Sequence, residues 1–202
     1  MEPGKTGKAL NEDLSWVLLN VIPPYPEYSG LRLPEAAKLH GKDVWETLYD
    51  ILEAQANCCA CYFTMDEADV EYVMAWERSM ICTDSSVAGN AQFYHPRLRG
   101  SFPRVLGRYV RERQVVSLPE MIRKMTSMPA SVYGLSTKGL LWEGMDADIC
   151  IFDAERICDK AEFTACGKRA EGINYVIVKG EIVVRDAVYQ GGTPGGFLLR
   201  NK

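Results

Sequence analysis

The sequence has no apolar run near the roughly 18 residues that a bilayer-crossing helix needs, so a helical membrane span is not expected. Its first residues, MEPGKTGKALNEDL, lack an apolar stretch and do not read as a secretory signal. Excess positive charge is also missing. A net charge of −4 draws the surface toward neither nucleic acid nor anionic membrane. Histidine is scarce, at two residues, and no HxH, HExxH, GxSxG, GxGxxG or P-loop pattern occurs. Cysteine is present but odd in number, at seven. Cys58, Cys59, Cys61, Cys82 and Cys150 fall in apolar strand-like runs, where a free thiol acts as a small hydrophobe. The expectation is a reducing cytoplasm and no disulfides. Cys58 and Cys61 have CxxC spacing, but a structural zinc site would usually need a second pair. Alternation along a strand would also point those two side chains to opposite faces.

What is present is ordinary globular material: 47% hydrophobic and 25% charged, enough for a sizeable core in one or two domains. Ser15 to Ile22 reads as a buried strand stopped by Pro23 and Pro24. Pro34 to His40 suits one or two helical turns. Val44, Leu48, Ile51 and Leu52 then recur on one helix face. Cys58 to Phe63 is strand-like, and Thr64 with Glu67 has capping-box spacing before a helix carrying Val70, Val73 and Met74 inward. Ser79 to Cys82 reads as the next strand, ending at Thr83-Asp84. Phe102, Val105, Leu106, Tyr109 and Val110 form a helical stripe. Ser117 with Glu120 makes a second capping box, Pro119 sits in that helix's first turn, and Leu118, Met121, Ile122 and Met125 give its buried face. Strand and helix alternate, with strands too buried to alternate in polarity, which is the pattern of a parallel sheet covered by helices.

After Gly139 the texture changes. Asp146 to Ala154 reads as a strand, and Lys179-Gly180 joins Ile173–Val178 to Glu181–Val184 as a tight hairpin. The tail GGTPGGF is too rich in glycine for regular structure. The expected division is residues 1–139 as α/β material and 140–202 as a small β domain. Three strand–helix units cannot close a (β/α)8 barrel, so the sheet is open or the chain is part of something larger.

Three residues stand out chemically. Asp84 ends an expected buried strand, the face where α/β folds build their sites, and could act as general base or metal ligand; it could equally cap the turn that follows. Arg97 lies in the loop beyond it and could pair bidentately with a carboxylate, or form a structural salt bridge. His95 could join them or simply hold the loop by hydrogen bonding. His40 has no acidic or cysteine partner nearby in sequence and is expected at the surface.

The stretch Ile81 to Leu135, with HPR, FPRVLGRYVRE and RKMTSMPA as its specific parts, is similar to the N-acyl-D-amino-acid deacylases (D-aminoacylases) of the amidohydrolase superfamily. GLLWEGMDADICIFD resembles that superfamily's usual ending, and GKDVWETLYDILEA and FTMDEADV resemble segments upstream. The resemblance runs from about Trp16 onward. It implies the C-terminal part of a (β/α)8 TIM-type metal-dependent hydrolase barrel, about its last three strands, followed by a small sandwich-like β domain. It also implies amide hydrolysis by metal-activated water, with zinc in the complete enzyme. Asp84 matches the family's general base, and Arg97 in the HPR loop, with His95 beside it, matches the substrate-carboxylate site. The family's metal ligands are histidines and a cysteine on earlier strands, so this chain alone is expected to bind no zinc. Ser85 replaces the glycine that usually follows the aspartate.

Three functions compete. The first is deacylation of N-acyl-D-amino acids, with a missing N-terminal half supplying the metal ligands. The second is a non-catalytic remnant, inactive alone and prone to self-association. The third is action on a cyclic amide such as a hydantoin or dihydropyrimidine, against which the HPR loop argues. The expected partner is a small-molecule N-acyl amino acid, not nucleic acid or membrane.

Overall fold

In the computed structural model the described residues are 12–54, 58–85 and 95–198. The chain divides into two compact units, one of residues 1–70, 87–96 and 162–167, the other of residues 71–86, 97–161 and 168–202. Among the described residues no helix is long and apolar enough to cross a membrane. All seven cysteines are free thiols.

The first unit opens with β1 (Val17–Val21), buried along nearly its whole length. A short 3-10 turn, Pro26–Tyr28, leads to α1 (Leu33–His40) and α2 (Val44–Ala54). Glu35 starts α1 by accepting the Arg32 N–H at 2.7 Å, and Gly41, at φ +76°, ends it in the left-handed conformation that glycine adopts without strain. Asp43 starts α2, its Oδ1 accepting the N–H groups of Trp45 and Glu46. The core joins Val17, Leu19, Ile22, Tyr28, Leu33, Ala36 and Ile51, with Val44 and Leu48 packed against it. Leu52, expected inward, is turned to solvent.

β2 (Cys59–Tyr62) pairs with β1, and the pairing is antiparallel, with Val17 opposite Tyr62. The parallel arrangement expected from sequence is not what these strands form. Burial of both strand faces does not fix direction; the connection does. One crossover helix returns the chain to its starting end, whereas the α1–α2 pair, joined only by residues 41–43, adds a further pass and reverses the second strand. Cys59 is exposed and Cys61 buried, where its sulfur accepts the Asn20 side-chain N–H at 3.0 Å.

α3 (Glu67–Ala75) is capped by Asp66, whose Oδ1 accepts the Ala68 N–H at 2.8 Å, rather than by the expected Thr64–Glu67 box. Met74 faces inward, but Val73 is exposed. The expected strand Ser79 to Cys82 does not form. A strand exists only as a ladder, and here the Ser79 N–H turns back to Trp76 O at 3.1 Å and the Ile81 N–H reaches Lys124 O, on a helix, at 3.3 Å. Cys82, expected to be buried, is therefore exposed, as is Cys150.

The second unit continues with α4 (Arg97–Arg104), a π-helical segment (Val105–Glu112), α5 (Leu118–Met125) and α6 (Ser127–Tyr133). Val105, Leu106 and Tyr109 are buried, as the apolar stripe required. In the π segment the Arg113 N–H reaches Arg108 O, five residues back, at 2.8 Å. Ser117 precedes α5 but makes no side-chain cap; the Glu120 carboxylate instead pairs with Arg123 at 2.7 Å. β3 (Ile149–Phe152), β4 (Ile173–Val178), β5 (Glu181–Arg185) and β6 (Val188–Tyr189) form an antiparallel sheet in that order. Lys179 and Gly180 both have positive φ, 49° and 82°, as a type I′ hairpin demands. Residues 191–198 have no regular structure.

Candidate active site

The site is built from the second unit, around the chain that runs out of α3. Two neighbours on α5 fix this stretch. Arg123 Nη2 donates to Glu77 O at 3.1 Å. Lys124, which has no exposed surface, directs its ammonium at Trp76 O, at Ser79 O (3.2 Å) and at Ser79 Oγ (3.0 Å). An ammonium has three donors, and here three acceptors meet them. Sequence reasoning missed Lys124 although it lies in the RKMTSMPA run. It occupies the buried helix face three residues after Met121, but its charge argued for solvent.

The pinned stretch delivers Asp84. Its φ is 45°, a left-handed conformation uncommon outside glycine and tolerated best by Asp and Asn. The left-handed position thus falls on Asp84 itself, one residue before Ser85. The Asp84 carboxylate is largely exposed and its Oδ2 lies 3.0 Å from Nη1 of Arg97, which is itself half-exposed. Arg97 is the first residue of α4, where Ser101 Oγ donates to its carbonyl at 2.9 Å. The structure therefore brings Asp84 and Arg97 together. His95 belongs to the first unit, where its ring stands edge-on to Phe163 with centroids 4.9 Å apart.

The FPRVLGRYVRE run has a packing role. A Cβ on Gly107 would lie 2.6 Å from Ile157 O, so only glycine permits this approach. Arg111 Nη1 donates to Ala154 O at 3.1 Å and to Ile157 O at 2.7 Å, fixing the π segment to that loop. A cleft of about 810 Å³ in the same unit is lined by residues such as Phe102, Leu106, Ile122, Leu141, Ile149 and Phe152. Neither Asp84 nor Arg97 lines it, so this cleft is not where the charged pair lies.

His40 is not the surface histidine expected. Asp50, ten positions on, accepts from its Nε2 at 2.6 Å, and its Nδ1 is 2.7 Å from the Tyr28 hydroxyl. Lys42 first, then His40, hold the Asp50 carboxyl below the usual carboxylate range, and burial pushes the Tyr28 phenol up. Among the described residues no three His, Cys, Asp or Glu side chains gather to hold a metal ion. Both ring nitrogens of His40 are engaged within its own cluster. These residues do not provide the three-ligand donor set of a hydrolytic zinc.

Residues 36–184 match the model of the amidohydrolase family. The chain is 39% identical over 180 residues to an N-acyl-D-glutamate deacylase of Alcaligenes xylosoxydans xylosoxydans, covering 88% of this chain and 35% of that protein. It is 37% identical over 177 residues to a D-aminoacylase of the same organism, again covering 88% of this chain and 35% of the relative. A crystal structure of N-acyl-D-glutamate deacylase from Bordetella bronchiseptica, complexed with zinc and a phosphonate mimic of the tetrahedral intermediate, superposes with a TM-score of 0.77 at 34% identity, over 85% of this chain and 35% of that one. The chain thus spans about a third of the length of the relatives it matches.

Proposed function

Because this chain belongs to the amidohydrolase family, with the α/β metal-dependent hydrolase fold of that family, we propose that it carries the proton-transfer and carboxylate-binding groups of an N-acyl-D-amino-acid deacylase. The observation that supports this most directly is the Asp84–Arg97 pair: a carboxylate and a guanidinium, both reachable by solvent, at the end of a pinned segment. In this reading Asp84 accepts a proton from the water that adds to the amide carbonyl. It then passes that proton to the departing nitrogen as the C–N bond breaks. Arg97 holds the substrate α-carboxylate, since a planar guanidinium suits a planar anion. Residues 1–139 are read as C-terminal barrel material, and residues 140–202 as the small β domain. Zinc is expected for full activity. The described residues do not supply its ligands, so no step is assigned to it. The N-acyl amino acid deacylases that this chain resembles over 88% of its length support a linear amide in this reading.

A second reading is favoured by the missing donor set: the chain by itself does not turn over substrate. Assay on N-acetyl-D-methionine with zinc, the chain being reconstituted with the N-terminal portion of a D-aminoacylase relative, separates the two. Turnover that falls roughly 10²-fold in Asp84→Asn, the scale of general-base loss, supports the first. Arg97→Ala should then harm N-acetyl-D-methionine far more than its amide. Turnover unchanged in Asp84→Asn removes the base assignment, and no turnover in the reconstituted enzyme supports the second reading.

A further inference from the structure

Asp84 Oδ2 and Arg97 Nη1 are 3.0 Å apart, so the residue read as substrate anchor already holds a carboxylate, and that carboxylate is the proposed base. The two roles conflict while the pair is closed. While the pair is closed, Asp84 Oδ2 is committed to Arg97 and Arg97 has a donor fewer for a substrate carboxylate, so each group is less free for its role. We propose that the substrate α-carboxylate exchanges with Asp84 on Arg97, so that binding of the correct anion is what releases the base. The inference rests on the functional reading above and adds the selection rule that reading lacks.

Three observations carry it. The Asp84 and Arg97 side chains are 82% and 44% exposed, and an ion pair so open to water is held weakly enough for a dissolved carboxylate to displace it. Competitor and substrate present the same chemical group, so Arg97 can satisfy one or the other with the same donors. The Asp84 backbone is held in the left-handed conformation behind a segment that Lys124 anchors, so the side chain can swing aside without moving the chain that positions it. An uncharged analogue, such as an amide or ester, has nothing to offer Arg97 and leaves Asp84 occupied. Selectivity for free acids then arises from both anchor and base.

Binding rather than turnover tests this, using the full chain, N-acetyl-D-methionine as the probe and ligand-detected NMR at low ionic strength. Asp84→Asn removes the internal competitor and should bind the probe about 2–5-fold more tightly than the unaltered chain, the range of a solvent-exposed ion pair. The gain should shrink in 1 M NaCl and be absent for the probe's amide. Arg97→Met should lose the probe. Both side chains are accessible, so the variants should keep the fold, which circular dichroism checks. Equal or weaker binding by Asp84→Asn, with dependence on Arg97 intact, overturns the exchange and leaves the anchor standing. Binding that ignores Arg97→Met overturns the functional reading and the exchange with it. No binding in any form overturns the exchange.

Discussion

A lysine with no exposed surface has to find a partner for every donor, and Lys124 does so entirely with carbonyl and hydroxyl oxygens of residues 76 and 79. Replacing it with methionine keeps the length and apolar stem but leaves those oxygens without their donor. Lys124→Met should therefore cost about 1–3 kcal/mol in urea unfolding, the desolvation penalty of unsatisfied buried acceptors; an unchanged midpoint would show that the segment is held by other bonds. At this scale the sequence was readable where residue type and place agreed. Asp84 and Arg97 were singled out and meet. Lys124 was passed over and His40 misjudged because the fold, not sequence adjacency, supplies their partners: Trp76 and Ser79 for the lysine, Asp50 and Tyr28 for the histidine.

Among the elements, the π segment Val105–Glu112 is the one whose form periodicity could not reveal. A spacing of four, as in Val105–Tyr109 and Leu106–Val110, fits one turn of an α-helix or of an i→i+5 ladder, so the stripe foretold burial but not the ladder. Its glycine is testable. A Cβ at Gly107 would be 2.6 Å from the backbone oxygen of Ile157, which cannot turn aside as a side chain would. Gly107→Ala should destabilise by about 1–3 kcal/mol or more, the cost of overpacking, where Ala normally improves a helix. A melting temperature at or above that of the unaltered chain would refute the packing account. The hairpin at Lys179-Gly180 was legible because its glycine suits a positive φ. The turn Asp186-Ala187, with φ of 49° and 60°, was not, since alanine gives no such signal. The β1–β2 direction was misread although both intervening helices were expected, because it was inferred from strand burial rather than from the number of passes between the strands.

For the molecule as a whole, several carboxylates are lowered by partners within their own unit. In the first unit Lys42, then His40, lower Asp50. In the second, Lys138 and then the Lys179 N–H lower Asp148, while Lys138 and then Thr137 lower Asp146. A depressed folded pKa stabilises above the ordinary carboxylate value and is lost as pH falls through the lower one. Lys138, raised by Asp148 and then Asp146, works in the opposite sense: its contribution is full below the usual lysine value and fades above it. Thermal stability should thus fall on the acid side of about pH 4 and on the alkaline side of about pH 10. Lys138→Met should flatten both flanks; melts across pH 2–11 with unaltered slopes would count against it. The sheet topology has a consequence of another kind, in the order of assembly. β4 and β5 close across Lys179-Gly180 alone, β3 reaches β4 across residues 153–172, and β1 reaches β2 across residues 22–58. Closing a longer loop costs more chain entropy before its first contact forms, so the three ladders start from unequal footing. The β4–β5 hairpin is the local nucleus on which β3 can later dock, and the β1–β2 pair must wait for the two helices between them.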